Sequence, residues 1–234
     1  MDSYKKINRS SELISIGTSA IITKAITDWL QTLRVQQIVV LTLTFVLVYL
    51  LNEVLTWIFK NIFSNFESFR RYTLREEFVE GIWIEFSTKN DILESIGIVL
   101  IKPEREGYGL SIYGENYKYI SGQELSLNYR FSSKNGLAKL NFPILDFAYI
   151  NRLSVAINGR QSVEGVAQVT FSSIQGIPLR YHASFYLSED GRVMNLEGWK
   201  IQDRDDLKKI KTDPTNLSKI IEKYISLREK SNEK

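Results

Sequence analysis

Apolar residues follow three different patterns along the chain. Residues 38–59 form a run of 22 residues whose one charged side chain is Glu53. From residue 80 onward, short stretches alternate between apolar and polar side chains, which is the period of a β-strand. Near the end, apolar residues recur every three or four positions, as in an amphipathic helix. We therefore predict a membrane-anchored all-β protein with three parts: a helical anchor and basic linker over 1–76, a β-barrel domain over 77–203, and a C-terminal amphipathic helix within 204–234.

The anchor is predicted to hold two helices, at about 13–33 and 36–62. The second contains the run 38–59, which is long enough to cross a bilayer core of about 30 Å. The first is rich in Ser and Thr and carries Lys24 and Asp28, which one helical turn brings close enough to pair. It is either a weaker span packed on the strong one or an amphipathic helix on the membrane surface.

The basic residues predict the orientation of this anchor. Lys5, Lys6 and Arg9 precede the first helix, and Lys60, Arg70, Arg71 and Arg75 follow the second. Only Arg34 lies between the two helices. Because positive loops stay in the cytoplasm, we expect two passes with both ends, and therefore the barrel, in the cytoplasm.

The β-rich part contains eight to ten short strands with turn residues every 8–12 positions. The stretch 124–132 alternates cleanly, with Tyr129 on one face and Arg130 on the other. Gly114-Glu115-Asn116 and Asn135-Gly136 are candidate hairpin turns. Meandering antiparallel strands of this number favour a small closed barrel of eight strands, with an open sandwich as the alternative.

Composition argues against several kinds of site. The chain has no Cys and one His, which excludes thiol nucleophiles, disulfides and sites with two imidazoles. It lacks the nucleophile elbow, the Walker loop and the dinucleotide fingerprint. Residues 77–203 hold 12 basic against 15 acidic side chains, so this part is not a DNA- or RNA-binding domain by charge. We expect no catalytic residue, no metal and no cofactor.

The strands do combine arginine with tyrosine, which suits a small anionic ligand. A planar base stacks on aromatic rings, and a phosphate accepts two hydrogen bonds from a guanidinium group. A polar face inside a barrel must be wet or filled by a ligand. The alternative is that these side chains point outward into solvent. The candidate ligand contacts are Tyr113, Tyr117, Tyr129, Arg130, Tyr149 and Arg180.

A membrane hairpin joined to one β-rich domain resembles a family of bacterial anti-phage effectors. The resemblance is carried by Gly81-Ile82-Trp83, by Tyr113-Gly114-Glu115-Asn116-Tyr117, by Gly122, and by the strands 145–149 and 163–171. These features look like the CBASS effectors in which two transmembrane helices precede a β-strand-rich domain. The resemblance implies an eight-stranded barrel that binds a cyclic di- or oligonucleotide second messenger. It also implies that binding drives homo-oligomerisation of the helices, inner-membrane disruption and abortive infection.

Two other functions fit the same pattern. One is a membrane-tethered, lipocalin-like carrier of a small apolar molecule. The other is a scaffold whose barrel and C-terminal helix recruit a partner protein. For the effector, Thr42, Thr44, Asn52 and Glu53 are candidates for hydrogen bonds between the helices of associated copies. The alternative is that Asn52 and Glu53 lie at the membrane interface and face water.

Overall fold

The computed structural model describes residues 3–32, 37–89, 92–104, 109–120, 123–134, 137–157, 160–174, 177–187, 193–212 and 216–232. These residues form two compact units. The first contains the described residues up to Arg75, and the second contains those from Glu76 onward. The C-terminal helices therefore belong to the same unit as the β-sheet.

The first unit is helical. Helix α1 spans Ser3–Thr32, helix α2 spans Gln37–Asn65 and helix α3 spans Glu67–Leu74. Helix α1 begins ten residues before the predicted start, and α3 lies where we predicted only a basic linker. Among the described residues one helix is long and apolar enough to cross a membrane, through the window Thr42–Phe59 of α2.

Helices α1 and α2 contact each other through hydroxyl groups. The Thr27 and Thr44 hydroxyls lie 3.0 Å apart, and the Thr56 hydroxyl donates to Ser15 Oγ at 2.9 Å. The hydrogen bonds that we expect between helices of associated copies remain a prediction, and within one chain Thr44 contacts Thr27. Lys24 and Asp28 are exposed and form no ion pair with each other.

The second unit is a closed eight-stranded antiparallel barrel, which confirms that prediction. Around the barrel the strand order is β4-β3-β2-β1-β9-β8-β7-β6, and pairing of β4 with β6 closes it. A short strand, β5, pairs only with the start of β6. The strands are β1 Gly81–Lys89, β2 Ile92–Pro103, β3 Leu110–Lys118, β4 Ser126–Ser133, β5 Lys139–Asn141, β6 Ile144–Ile157, β7 Arg160–Ile174, β8 Ile177–Leu187 and β9 Val193–Lys200.

The predicted hairpin at Gly114-Glu115-Asn116 is wrong. Strand β3 runs straight through these residues and pairs with β2 and β4 on both sides. Gly114 is required for packing, because a Cβ atom there would overlap the ring of Phe131. The predicted turn at Asn135-Gly136 lies outside the described residues.

The interior of the barrel is filled by aromatic rings. The ring centroids of Trp83 and Tyr181 are 4.9 Å apart, and those of Tyr149 and Phe185 are 5.2 Å apart. Three rings lie over glycines of a neighbouring strand: Phe131 over Gly114, Tyr149 over Gly165, and Tyr181 over Gly198. Because glycine has no side chain, each ring packs directly on backbone, which lets a small barrel hold large side chains.

A second apolar core lies outside the barrel. Ile82, Ile84 and Phe86 of β1 point outward and pack against Ile221 and Tyr224. The last two belong to α5, Leu217–Asn232, which follows α4, Arg204–Thr212. The predicted C-terminal helix is thus confirmed, and it docks on the barrel. The predicted helix cap at Asp213 lies outside the described residues.

Candidate ligand-binding groove

A groove of about 540 Å³ crosses the outer face of strands β1, β2, β3, β4 and β6. Its apolar surface comes from alternating outward positions of the strands, and Ile210 of α4 adds to it. Ligand sites of small molecules have volumes of about 300–1,000 Å³ and mostly apolar linings. The aliphatic lining residues are Ile82, Ile98, Leu100, Ile150 and Ile210, and Phe131 also contributes to the lining.

Two arginines line this groove from adjacent strands. Arg130 of β4 and Arg152 of β6 are direct cross-strand partners, and both side chains are exposed. Like charges directly opposite each other destabilise a sheet. Within the described part of the chain, Arg152 forms no ion pair that would offset this repulsion. Because Glu115 of β3 also lines the groove and pairs with Arg130, the three side chains together leave one net positive charge beside an apolar surface.

Arg130 is held by a carboxylate on the neighbouring strand. Its Nε donates to Glu115 Oε1 at 2.7 Å, and the hydroxyl of Tyr117 donates to Glu115 Oε2 at 2.6 Å. The Tyr117 hydrogen bond, followed by the Arg130 guanidinium, lowers the pKa of Glu115. Glu115 thus stays ionised and orients Arg130 along the groove.

Tyr113 supplies an exposed ring at the same site. Its side chain is 42% exposed and lines the groove. Lys102 Nζ lies 4.6 Å from the ring centroid, so the ring already contacts one cation. A planar group that enters the groove has this ring as a stacking surface.

Three of the six predicted contact residues therefore lie together, namely Tyr113, Tyr117 and Arg130. Tyr129 and Tyr149 point into the barrel, where burial raises the pKa of both phenols and brings that of Tyr149 to about 12. The polar face that we expected inside the barrel, with Arg130 and Arg180, is an outer face.

Arg180 lies apart from the groove. Its guanidinium carbon is 4.1 Å from the centroid of the Trp199 ring, and its Nη2 donates to Ser231 Oγ at 2.9 Å. Ser231 belongs to α5, so Arg180 helps to fix that helix on the barrel. Its stacking and its hydrogen bond give it a structural role.

The barrel interior contains a buried carboxyl group. Glu85 is 3% exposed, and the hydroxyl of Tyr181 donates to its Oε1. Its partners on the two neighbouring strands are glycines, Gly97 and Gly198, and a Cβ at Gly97 would lie 2.8 Å from Glu85 Oε2. Burial raises the pKa of Glu85 to about 7, although the Tyr181 hydrogen bond opposes this shift.

We expect the stability of the barrel to depend on the charge of Glu85. The native pKa of about 7 exceeds the ordinary value of 4.5, so the folded state binds the proton more tightly. The stabilisation by protonated Glu85 is complete below about pH 4.5 and is lost as the pH rises through about 7, by about 3 kcal/mol in all. Chemical denaturation from pH 4 to 8 should show the free energy of unfolding falling with pH in the wild type and not in Glu85→Gln. Glu94→Gln, at an exposed position, is the control and should lose stability with pH as the wild type does. The same loss in Glu85→Gln would contradict the raised pKa of Glu85.

Sequence reasoning missed Arg152 and Glu85. Arg152 shares the outward parity of Ile150 in β6, but its position opposite Arg130 depends on the closure between β4 and β6. Glu85 shares the parity of Trp83, which was a signal that it points inward. Among the described residues, no group of three His, Asp or Glu side chains is placed to hold a metal ion.

Comparison of this chain with protein-family models, with curated proteins and with solved structures finds no match.

Proposed function

We propose that this protein is a membrane-tethered sensor whose barrel binds a cyclic di- or oligonucleotide in the outer groove. Binding then causes the membrane helices of several copies to associate and to disrupt the inner membrane, as in an abortive-infection defence. The observation that carries this proposal is the direct pairing of Arg130 with Arg152 beside an apolar groove. The ligand class follows from three features: charge, flatness and size.

The charge of the ligand follows from the two arginines. A phosphodiester accepts paired hydrogen bonds from a guanidinium group, and a group between Arg130 and Arg152 would relieve their repulsion. Glu115 accepts a hydrogen bond from Arg130 and would compete with a ligand for it. The guanidinium group of Arg152 has no such competitor among the described residues. An anion that reaches both side chains is therefore favoured over a neutral ligand.

The remainder of the ligand follows from the apolar lining. Ile98, Leu100 and Ile150 offer contacts to the faces of planar bases, and Tyr113 offers stacking. A groove of about 540 Å³ is of the right size for a cyclic dinucleotide and too small for a folded nucleic acid. No role in binding DNA or RNA is proposed.

The helical unit has the pattern of a hairpin inserted in lipid. Ser15, Ser19 and Thr23 are buried on α1, at a spacing of four residues, whereas Ile21 and Phe45 are 74% and 79% exposed. Small polar residues at the helix contact and apolar residues outside reverse the arrangement of a soluble hairpin. This reversal supports a proposal in which α2 crosses the membrane through Thr42–Phe59 and α1 crosses beside it.

The charges of α1 are compatible with a second pass. Lys24 lies eight residues before the end of α1 at Thr32, which is about 12 Å along the helix. A lysine reaches the headgroups from this depth by extending its side chain, and Asp28 is closer still to the end. Trp29, which is 60% exposed, lies where interfacial aromatic residues are common.

A scaffold that recruits a partner protein is the second candidate. The packed rings of Phe131, Phe147 and Phe185 favour it over a lipocalin-like carrier, because they occupy the space that an apolar ligand would need. A scaffold does not account for the two opposed arginines.

The effector function is tested by the release of dye from proteoliposomes. The full chain is reconstituted in phosphatidylethanolamine and phosphatidylglycerol vesicles, and cyclic di- and trinucleotides are added one at a time. We expect one cyclic nucleotide to release the dye and its linear form to leave the vesicles intact. The Arg130→Ala/Arg152→Ala variant should not respond, whereas the exposed Lys139→Ala, outside the groove, should respond normally. Binding of a cyclic nucleotide without release of the dye would contradict the effector function but not the sensor function.

A further inference from the structure

Helix α3 carries an exposed aromatic face that the barrel groove does not use. Phe66, Phe69 and Tyr72 are 58%, 50% and 75% exposed. Phe69 and Tyr72 lie about 60° apart around the helix. Phe66 lies at the N-cap position, directly before the first turn. Three large exposed rings within seven residues are unusual on a surface in contact with water.

The other sides of α3 have different partners. Arg70 and Leu74 are buried, and α3 contacts both α1 and α2. Glu67 and Arg71 are exposed on a third side, where their side chains form a loose ion pair at 3.9 Å. The helix thus presents a packed side, a polar side and an aromatic side.

The position of α3 in the chain indicates what covers the aromatic side. The apolar window of α2 ends at Phe59 and α2 ends at Asn65, about 9 Å further along the helix. The headgroup region of a bilayer is about 5–8 Å thick on each side of the hydrocarbon core. Helix α3 therefore begins at the outer edge of the headgroup region if α2 spans the membrane.

The backbone changes direction at this depth. Phe66 separates the two helices with an extended conformation, φ −101° and ψ 104°. Its amide still donates to Ile62 O at 3.0 Å, and its carbonyl accepts from Phe69 at 3.1 Å. The link is short and fully hydrogen-bonded, so α3 stays close to the end of the span.

We propose that α3 is an interfacial helix whose aromatic face, formed by Phe66, Phe69 and Tyr72, binds the lipid headgroup region of the bilayer. Aromatic side chains favour this layer because their rings are apolar and their edges are polar. Arg75, 6.0 Å from the Tyr72 ring centroid, adds a positive charge beside the face. The inference rests on the proposed insertion of α2.

The test uses the absence of cysteine from the chain, which allows single nitroxide labels without background. The full chain is reconstituted in phosphatidylcholine and phosphatidylglycerol vesicles with one label at Phe66→Cys, Phe69→Cys or Tyr72→Cys. Glu67→Cys and Arg71→Cys are matched controls on the polar side of the same helix, and Phe45→Cys marks the middle of α2. Power saturation measures how often the nitroxide collides with oxygen, which enters lipid, and with a nickel chelate, which stays in water.

We expect the ratio of oxygen to nickel accessibility to be at least threefold higher at positions 66, 69 and 72 than at 67 and 71. Equal ratios at all five positions, together with a label at position 45 that lies within the bilayer, would overturn the proposal. Such a result would not contradict the insertion of α2. Spin–spin broadening at 66, 69 and 72 that disappears on dilution with unlabelled chain would also overturn it, since a second copy would then cover the face. A water-exposed label at position 45 would instead contradict the insertion of α2 itself.

Discussion

Gly165→Ala is expected to destabilise the barrel by about 4 kcal/mol, above the usual range for one added methyl group in a core. A Cβ atom at this position would lie closer than 3.0 Å to the main-chain oxygen of Tyr186 and to the phenol of Tyr149. The hydroxyl of Tyr149 donates to that same oxygen at 3.3 Å. Neither neighbour has room to move, because Tyr186 lies in β8 and the ring of Tyr149 is fully buried.

Thermal melting measures this effect. A loss of about 4 kcal/mol corresponds to a fall in Tm of about 8–16 °C for a domain of this size. Gly109→Ala is the matched control, because its nearest neighbour is the flexible carboxylate of Glu104 at 3.3 Å. We expect the control to melt within about 2 °C of the wild type. Equal melting temperatures for Gly165→Ala and Gly109→Ala would contradict the packing of Tyr149 on β7.

The Arg130→Ala/Arg152→Ala variant is expected to lose at least 100-fold in affinity for the nucleotide. A hydrogen bond to a charged group contributes about 1.5–3 kcal/mol, so two such bonds contribute about 3–6 kcal/mol. Each 1.4 kcal/mol corresponds to a factor of about ten in Kd. The stability of the variant should not fall, because the change removes the repulsion between opposed arginines and costs only the exposed ion pair with Glu115.

Titration calorimetry on the full chain distinguishes the groove from the rest of the barrel surface. Arg180→Ala is the control for a lost arginine outside the groove, and its affinity should equal that of the wild type. Arg152→Ala alone should weaken binding more than the control does, since Arg152 lies in the groove. Unchanged affinity in the double variant, or a loss confined to Arg180→Ala, would show that the ligand binds elsewhere.

The order of elements was largely predictable because it depends on local patterns. The run at 38–59 predicted α2, and the alternation at 124–132 placed Phe131 and Arg130 on opposite faces of the same strand. The length of α1 was not predictable, since Lys5, Lys6 and Arg9 precede the apolar residues that mark a span. Helix α3 was missed because its aromatic face is exposed, so it lacks the buried stripe by which a short helix is recognised.

The site was predictable only in part because it depends on pairing between distant strands. Tyr113, Tyr117 and Arg130 come together because β3 and β4 are neighbours in sequence and in the sheet. Arg152 joins them only through the pairing of β4 with β6, across the short strand β5. Gly114 led to the wrong prediction of a hairpin turn, because a glycine beneath an aromatic ring and a glycine in a turn look alike in the sequence.

The most direct test of the sensor is thermal melting of the full chain in detergent with a panel of cyclic di- and trinucleotides. A ligand at about 100 times its Kd adds about 2.7 kcal/mol to the stability of the native state. We expect one cyclic nucleotide to raise the Tm of the barrel by about 5–11 °C and its linear form to leave it unchanged. The rise should be absent in Arg130→Ala/Arg152→Ala. No rise with any member of the panel, on a chain that melts cooperatively, would contradict the binding of a cyclic nucleotide in the groove.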